Sequence, residues 1–154
     1  MARVGGALSD EELAEVWRDV RIDHTNKLFY RGLLEKELRL NRCGDCGWWH
    51  HRPKPVCPQC WSHNLTATAV RGTGTIHLLI FLHQGPPTEG VSYAPPHPVV
   101  TVELDEQEGL RFTSTVVGAD NDEIAIGRRV VLDWTERNGR PYPAWRLEDG
   151  EATS

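Results

Sequence analysis

Long apolar runs are missing from this sequence. The longest, Leu78-Leu-Ile-Phe-Leu82, is five residues, far short of the roughly 20 that span a bilayer, so a membrane-spanning helix is not expected. The N-terminal Met1-Ala-Arg-Val-Gly-Gly-Ala lacks the apolar stretch of a signal peptide, which predicts a cytoplasmic protein in a reducing compartment. A basic excess is missing as well: the net charge is −5, and residues 99–154 hold six basic against twelve acidic residues. That balance opposes binding to a phosphate backbone, so no nucleic-acid partner is expected. No glycine-rich phosphate loop, metalloprotease helix or nucleophile elbow occurs. Catalysis by this chain alone is therefore not expected.

Cysteine is scarce but concentrated. All four cysteines lie in Cys43-Gly-Asp-Cys46 and Cys57-Pro-Gln-Cys60. Two Cys-x-x-Cys turns can aim four thiolates at one point, the donor set that Zn²⁺ takes at about 2.3 Å in a closed structural site. A redox Cys-x-x-Cys normally occurs once, and two disulfides would suit an exported protein, so one structural Zn²⁺ on Cys43, Cys46, Cys57 and Cys60 is the expected cofactor. His50, His51 and His63 are alternative ligands. With four thiols available they read as solvated loop histidines.

Along the chain, Ser9 and Glu12 form a capping-box pattern that predicts a helix from about Asp10, with Leu13, Val16, Trp17 and Val20 on one stripe. A second helix follows a cap at Thr25 or Asn26 and runs through Phe29 and Leu33 to the alternating segment Glu37–Asn41. So small a ribbon offers these helices little to pack on, and a second subunit is expected to cover the stripe. The Thr-rich stretch from Leu65 leads through Gly72-Thr-Gly74, a bulge or bend, into the apolar strand Thr75–His83. The loop Gly85–Pro98 then carries five prolines, which exclude helix and central strand. Strands are predicted at Val99–Leu104, Leu110–Val117, Arg128–Trp134 and Tyr142–Leu147, with a hairpin at Arg137-Asn-Gly139. The expected fold is mainly β with N-terminal helices: a helical hairpin over 1–40, a zinc ribbon over 41–64, a five-stranded OB-fold barrel over 65–149 and a tail at 150–154. An open β-sandwich is the alternative.

The runs Leu38-Arg-Leu-Asn-Arg-Cys43-Gly-Asp-Cys46-Gly, Pro55-Val-Cys57-Pro-Gln-Cys60, Gly72-Thr-Gly-Thr75, Val102-Glu-Leu-Asp105 and Ile126-Gly-Arg-Arg-Val130 resemble one family. It is the OB-fold proteins with an N-terminal rubredoxin-like zinc ribbon, known as domain of unknown function thirty-five and associated with acyl-CoA enzymes. The resemblance covers Phe29 to Arg146. It implies a non-catalytic accessory subunit that binds a thiolase-fold enzyme and shares a CoA thioester with it. The enzyme it implies is a lipid-transfer-type retro-aldolase of steroid side-chain degradation, with lyase activity in the complex. A thiolase or acyltransferase partner is the alternative, and such domains also occur fused to a hot-dog-fold hydratase. Trp61 departs from the family pattern, which has a small residue after the second knuckle.

On this reading Tyr93 and His97, at the end of the proline-rich loop, line the acyl-CoA channel. Trp17, Phe29, Trp48, Trp49 and Trp61 form the partner interface, because tryptophan is enriched at interfaces. Packing of the tryptophans onto the ribbon itself remains the other reading. A zinc-ribbon nucleic-acid binder and a free-standing enzyme are the competing classes of function.

Overall fold

The structure, a computed structural model, describes residues 8–88 and 91–148. The expected tail at 150–154 lies outside the described residues. Contacts between Cα atoms divide the chain into two compact units, Met1–Val70 and Arg71–Ser154.

In the first unit, helix α1 (Asp10–Val16) opens on the expected capping box. Glu12 N–H donates to Ser9 Oγ at 3.1 Å, and Ser9 N–H donates to Glu12 Oε1 at 3.2 Å. Asp23 Oδ1 accepts the amides of Thr25 and Asn26, and this turn feeds helix α2 (Lys27–Leu34). Asp10 joins the helices through Lys27 at 3.2 Å and Arg31 at 2.6 Å. Helix α2 ends in a Schellman motif: Lys36 is left-handed (φ 57°), and the Glu37 amide reaches back to Gly32 O at 2.8 Å. The expected uncovered stripe is corrected here. Leu13, Trp17 and Leu33 are buried within the chain itself, Trp17 to 3% exposure. Ring contacts run from Trp17 to Tyr30 (5.1 Å, tilted), Tyr30 to Phe29 (5.1 Å, edge to face) and Phe29 to His51 (5.3 Å, tilted).

Strands β1 (Arg39–Cys43), β2 (Trp49–His50) and β3 (Leu65–Ala69) form an antiparallel sheet in the order β2-β1-β3. Strand β3 was expected to open the barrel. Instead it pairs with β1 along its whole length, from Arg39↔Ala69 to Cys43↔Leu65, so its ladder lies in the first unit.

The second unit is a five-stranded antiparallel sheet in the order β6-β5-β4-β7-β8, built from β4 (Thr73–Leu82), β5 (His97–Leu104), β6 (Arg111–Ser114), β7 (Arg129–Arg137) and β8 (Arg140–Leu147). Its ends curl together where Val116 bridges Trp145 in parallel, with Trp145 N–H on Thr115 O at 2.9 Å and Val117 N–H on Trp145 O at 2.8 Å. This is an OB-fold, and it excludes the open sandwich. Alternating residues Val100, Val102 and Leu104 of β5 point inward and are buried, as are Ile76, Val130 and Trp145. The β7–β8 hairpin turns on Asn138 (φ 53°) and Gly139 (φ 77°), the signature of a type I′ turn. The register shift in β4 falls between Ile76 and Leu78 rather than at Gly72-Thr-Gly74. Gly74 is needed for close approach, because a Cβ there would collide with Glu103 O and Val102 Cγ1 of β5. Pro98, assigned to the loop by its sequence, lies in β5 opposite Phe81.

Candidate functional site

The two knuckles repeat one geometry. In each, the third residue's amide donates to the first sulfur at 3.4 Å: Asp45 N–H to Cys43 Sγ and Gln59 N–H to Cys57 Sγ. The residue after the second cysteine then donates back to the first carbonyl at 2.9 Å, Gly47 N–H to Cys43 O and Trp61 N–H to Cys57 O. Both closing residues are left-handed, Gly47 at φ 78° and Trp61 at φ 65°. The sequence Cys-x-x-Cys-Gly satisfies that turn without strain, and Cys-x-x-Cys-Trp does not.

The knuckles bring all four sulfurs within 4.8 Å of one another, with Cys43–Cys60 and Cys46–Cys57 at 3.6 Å. A tetrahedron of thiolates at about 2.3 Å from one ion has edges of about 3.8 Å, so the donor set fits a single thiophilic metal ion. The backbone amide of Cys46, joined by that of Asp45, lowers the Cys43 thiol to about 6 and favours the thiolate such an ion takes. Asp45 clamps the knuckles: it accepts from Ser62 Oγ and from Asn64 Nδ2 at 3.2 Å, while Gly44 N–H donates to Asn64 O at 2.7 Å. Sequence reasoning missed this clamp, because Asp45, Ser62 and Asn64 follow no spacing that marks ligands.

The three histidines stay outside the sulfur cluster, but the solvated-loop reading holds for His63 alone. His50 is buried, with Nε2 3.4 Å from Asn41 Nδ2, and burial lowers its pKa. His51 sits against Phe29, and burial, followed by the charge of Arg52, lowers it to about 4. Among the aromatic residues expected at an interface, Trp17 and Trp49 are buried inside the chain, Trp49 beneath the Arg42 guanidinium at 5.2 Å. Phe29 is half-buried, whereas Trp48 is exposed and Trp61 is 81% exposed.

In the second unit, the structure brings Tyr93 and His97 together edge to face, 6.4 Å between ring centroids. Tyr93 folds over Gly85 and donates its hydroxyl to Pro86 O at 3.1 Å, which closes the loop on itself. His97 lines a cavity of about 260 Å³ with Ser92, Pro95, Thr115, Asn121 and Arg137. Burial, then the charge of Arg137, lowers the His97 pKa and keeps the ring neutral. Asn121 Nδ2 pins the loop at Pro96 O (2.7 Å). Sequence reasoning did not place Arg137 or Asn121 at the site: Arg137 read only as part of the hairpin, and Asn121 opens a short 3-10 helix outside any motif.

Residues 31–66 match the profile of the ChsH2 rubredoxin-like zinc ribbon domain, and residues 67–135 match that of the ChsH2 C-terminal OB-fold domain. The chain belongs to the ChsH2 (DUF35) family. Within it, a probable enoyl-CoA hydratase alpha subunit of Thermomonospora curvata is 34% identical over 75% of this chain. The 3-oxo-4,17-pregnadiene-20-carboxyl-CoA hydratase alpha subunit of Mycobacterium tuberculosis is 30% identical over 77%. This chain spans about a third of the length of those two relatives, 34% and 35%. A DUF35 domain-containing scaffold protein of Methanothermobacter thermautotrophicus is 33% identical over 60% of this chain and 67% of its own length. Among solved structures, a chain of the Ltp2-ChsH2(DUF35) aldolase superposes with a TM-score of 0.73 at 32% identity, covering 83% of this chain and 98% of that one. No helix among the described residues is long and apolar enough to cross a membrane.

Proposed function

We propose that this ChsH2-family chain is a non-catalytic accessory subunit. It binds a thiolase-fold retro-aldolase that acts on the CoA thioester of a steroid or similar side chain, and it helps to form that enzyme's acyl-CoA site. The observation that carries this reading is the superposition, over nearly the whole of the matched chain, on a component of the Ltp2-ChsH2(DUF35) aldolase. The relative named for a pregnadiene-carboxyl-CoA substrate supports the steroid acyl class. The chemistry of the chain agrees. Cys43, Cys46, Cys57 and Cys60 would hold one Zn²⁺ as a closed four-thiolate site, which would cross-link the two knuckles and offer no open position for a water nucleophile.

The neutral His97 ring and the Arg137 guanidinium offer a hydrogen bond and a positive charge to the polar arm of a CoA thioester, with Tyr93 bracing the loop that carries His97. Trp61 and Trp48 are the exposed tryptophans that follow the two knuckles, and they make the partner contact together with Phe29. Trp17 and Trp49 are buried and are not part of that contact.

The test is co-expression with a thiolase-fold partner, purification of the complex and assay of retro-aldol cleavage of a β-hydroxyacyl-CoA. Cleavage by the complex and by neither chain alone is expected. A partner that is equally active without this chain, or turnover by this chain on its own, overturns the reading. A second reading, attachment to an enoyl-CoA hydratase, is favoured by the names of two relatives. It predicts hydration of the enoyl-CoA, rather than cleavage, in the same reconstitution.

A further inference from the structure

One edge of β4 is left open. Strand β5 pairs with β4 from Gly74 to Leu82, but β7 pairs only with Thr73, Gly74 and Thr75. The last bonds on that side are Ile76 N–H to Arg128 O at 3.0 Å and Gly127 N–H to Ile76 O at 2.9 Å. Beyond them, among the described residues, no strand lies beside His77–Leu82.

Two observations fix which backbone groups face the open side. Ile76 directs its amide and carbonyl at β7, and after the one-residue bulge the alternation returns to that direction at Leu79 and Phe81. Phe81 also pairs with Pro98, which has no N–H, as suits a position where β4 and β5 exchange no hydrogen bond. Leu79 and Phe81 therefore present an unpaired donor and acceptor each.

Natural edge strands are guarded by lysine, proline or brevity. His77-Leu-Leu-Ile-Phe-Leu82 has none of these, its one guard being the bulge at its start, and its Leu78 and Ile80 side chains are 54% and 56% exposed. Such a backbone edge is complementary to another extended backbone and to little else. Two half-exposed aliphatic side chains fall far short of the about 800 Å² per partner that a self-standing interface needs, so a second copy held by this edge alone is disfavoured. The edge fits one part of a larger contact.

We propose that the open edge of β4 at Leu79–Phe81 takes an extended, uncharged, apolar segment of the partner enzyme as an added strand, which covers Leu78 and Ile80. The proposal rests on the accessory-subunit reading and deepens it. Leu82 pairs with His97, so a strand laid along this edge ends beside the loop whose cavity His97 lines.

The experiment uses the co-purified complex. Amide exchange at Leu79 and Phe81 should slow by about tenfold or more when the partner is added to this chain. Leu79→Pro removes an outward N–H without touching the β5 ladder, and it should weaken the complex by about threefold to tenfold at an unchanged melting temperature. Ile80→Lys should weaken it further. Ile126→Lys, at another exposed apolar side chain, should not. If Leu79→Pro fails to fold, Ile80→Lys and the exchange data still decide. Wild-type affinity in Ile80→Lys with unchanged exchange overturns the added strand while leaving the complex intact. Protection of these amides in this chain alone, rising with its concentration, assigns the edge to a second copy and overturns it too. No complex with any thiolase-fold partner overturns both this proposal and the function it rests on.

Discussion

Trp61 occupies in the second knuckle the place that Gly47 occupies in the first, and it is left-handed and almost fully exposed. A tryptophan there costs stability through backbone strain, and its exposed ring gains almost nothing from burial to offset it. Trp61→Gly should therefore stabilise the chain by about 1 kcal/mol, read as a higher melting temperature, while weakening the complex with the partner enzyme. A variant that binds as well as the wild type would show the ring to have no role at the interface, and one that is no more stable would remove the backbone-strain argument. His51 makes a second residue-scale statement. Its folded pKa of about 4 lies below the ordinary histidine value, so the unfolded chain takes up a proton first as pH falls. Stability is fully present above about pH 6.5 and is lost progressively toward pH 4. Between pH 7.5 and 5.5 the loss should be about 1 kcal/mol, and His51→Phe should flatten the melting-temperature profile over that window.

At the scale of elements, what the sequence disclosed was what local chemistry decides. Ser9 and Glu12 announce α1 because both capping bonds are made within four residues, and the Asn138-Gly139 turn announces the β7–β8 hairpin because its φ values demand those residues. What it hid depended on distant partners. The Leu13 and Trp17 stripe looks uncovered when read alone, since the Tyr30 ring that meets Trp17 lies in α2. Pro98 looks like loop, yet β6 pairs with β5 only from Val100, so no strand lies where the missing N–H would point. Asp45, Ser62 and Asn64 converge only once both knuckles have formed. Gly74 is the element-scale test: Gly74→Ala should push β5 away and lower the stability of the second unit by about 1–3 kcal/mol in thermal unfolding.

The whole molecule is two compact units, and the sulfur cluster lies in only one of them. One Zn²⁺ per chain is expected, and binding on the order of 10 kcal/mol couples it to folding of the first unit. Chelation, or Cys43→Ser, should raise amide exchange through residues 8–70 and leave β4 to β8 protected. Uniform loss of protection would show that the units do not fold independently. The cysteine spacing made the sulfur cluster legible from sequence, because four thiols in eighteen residues leave few arrangements. The limit of the metal-bearing unit was not legible, because it is set by the pairing of β3 with β1 rather than by any cysteine. That pairing dictates where the gene can be cut. A chimera that grafts this ribbon onto another barrel must cross over downstream of Val70. A crossover at Leu65 would give the recipient an orphan strand and leave β1 with a two-residue neighbour, β2, as its sole support in the sheet.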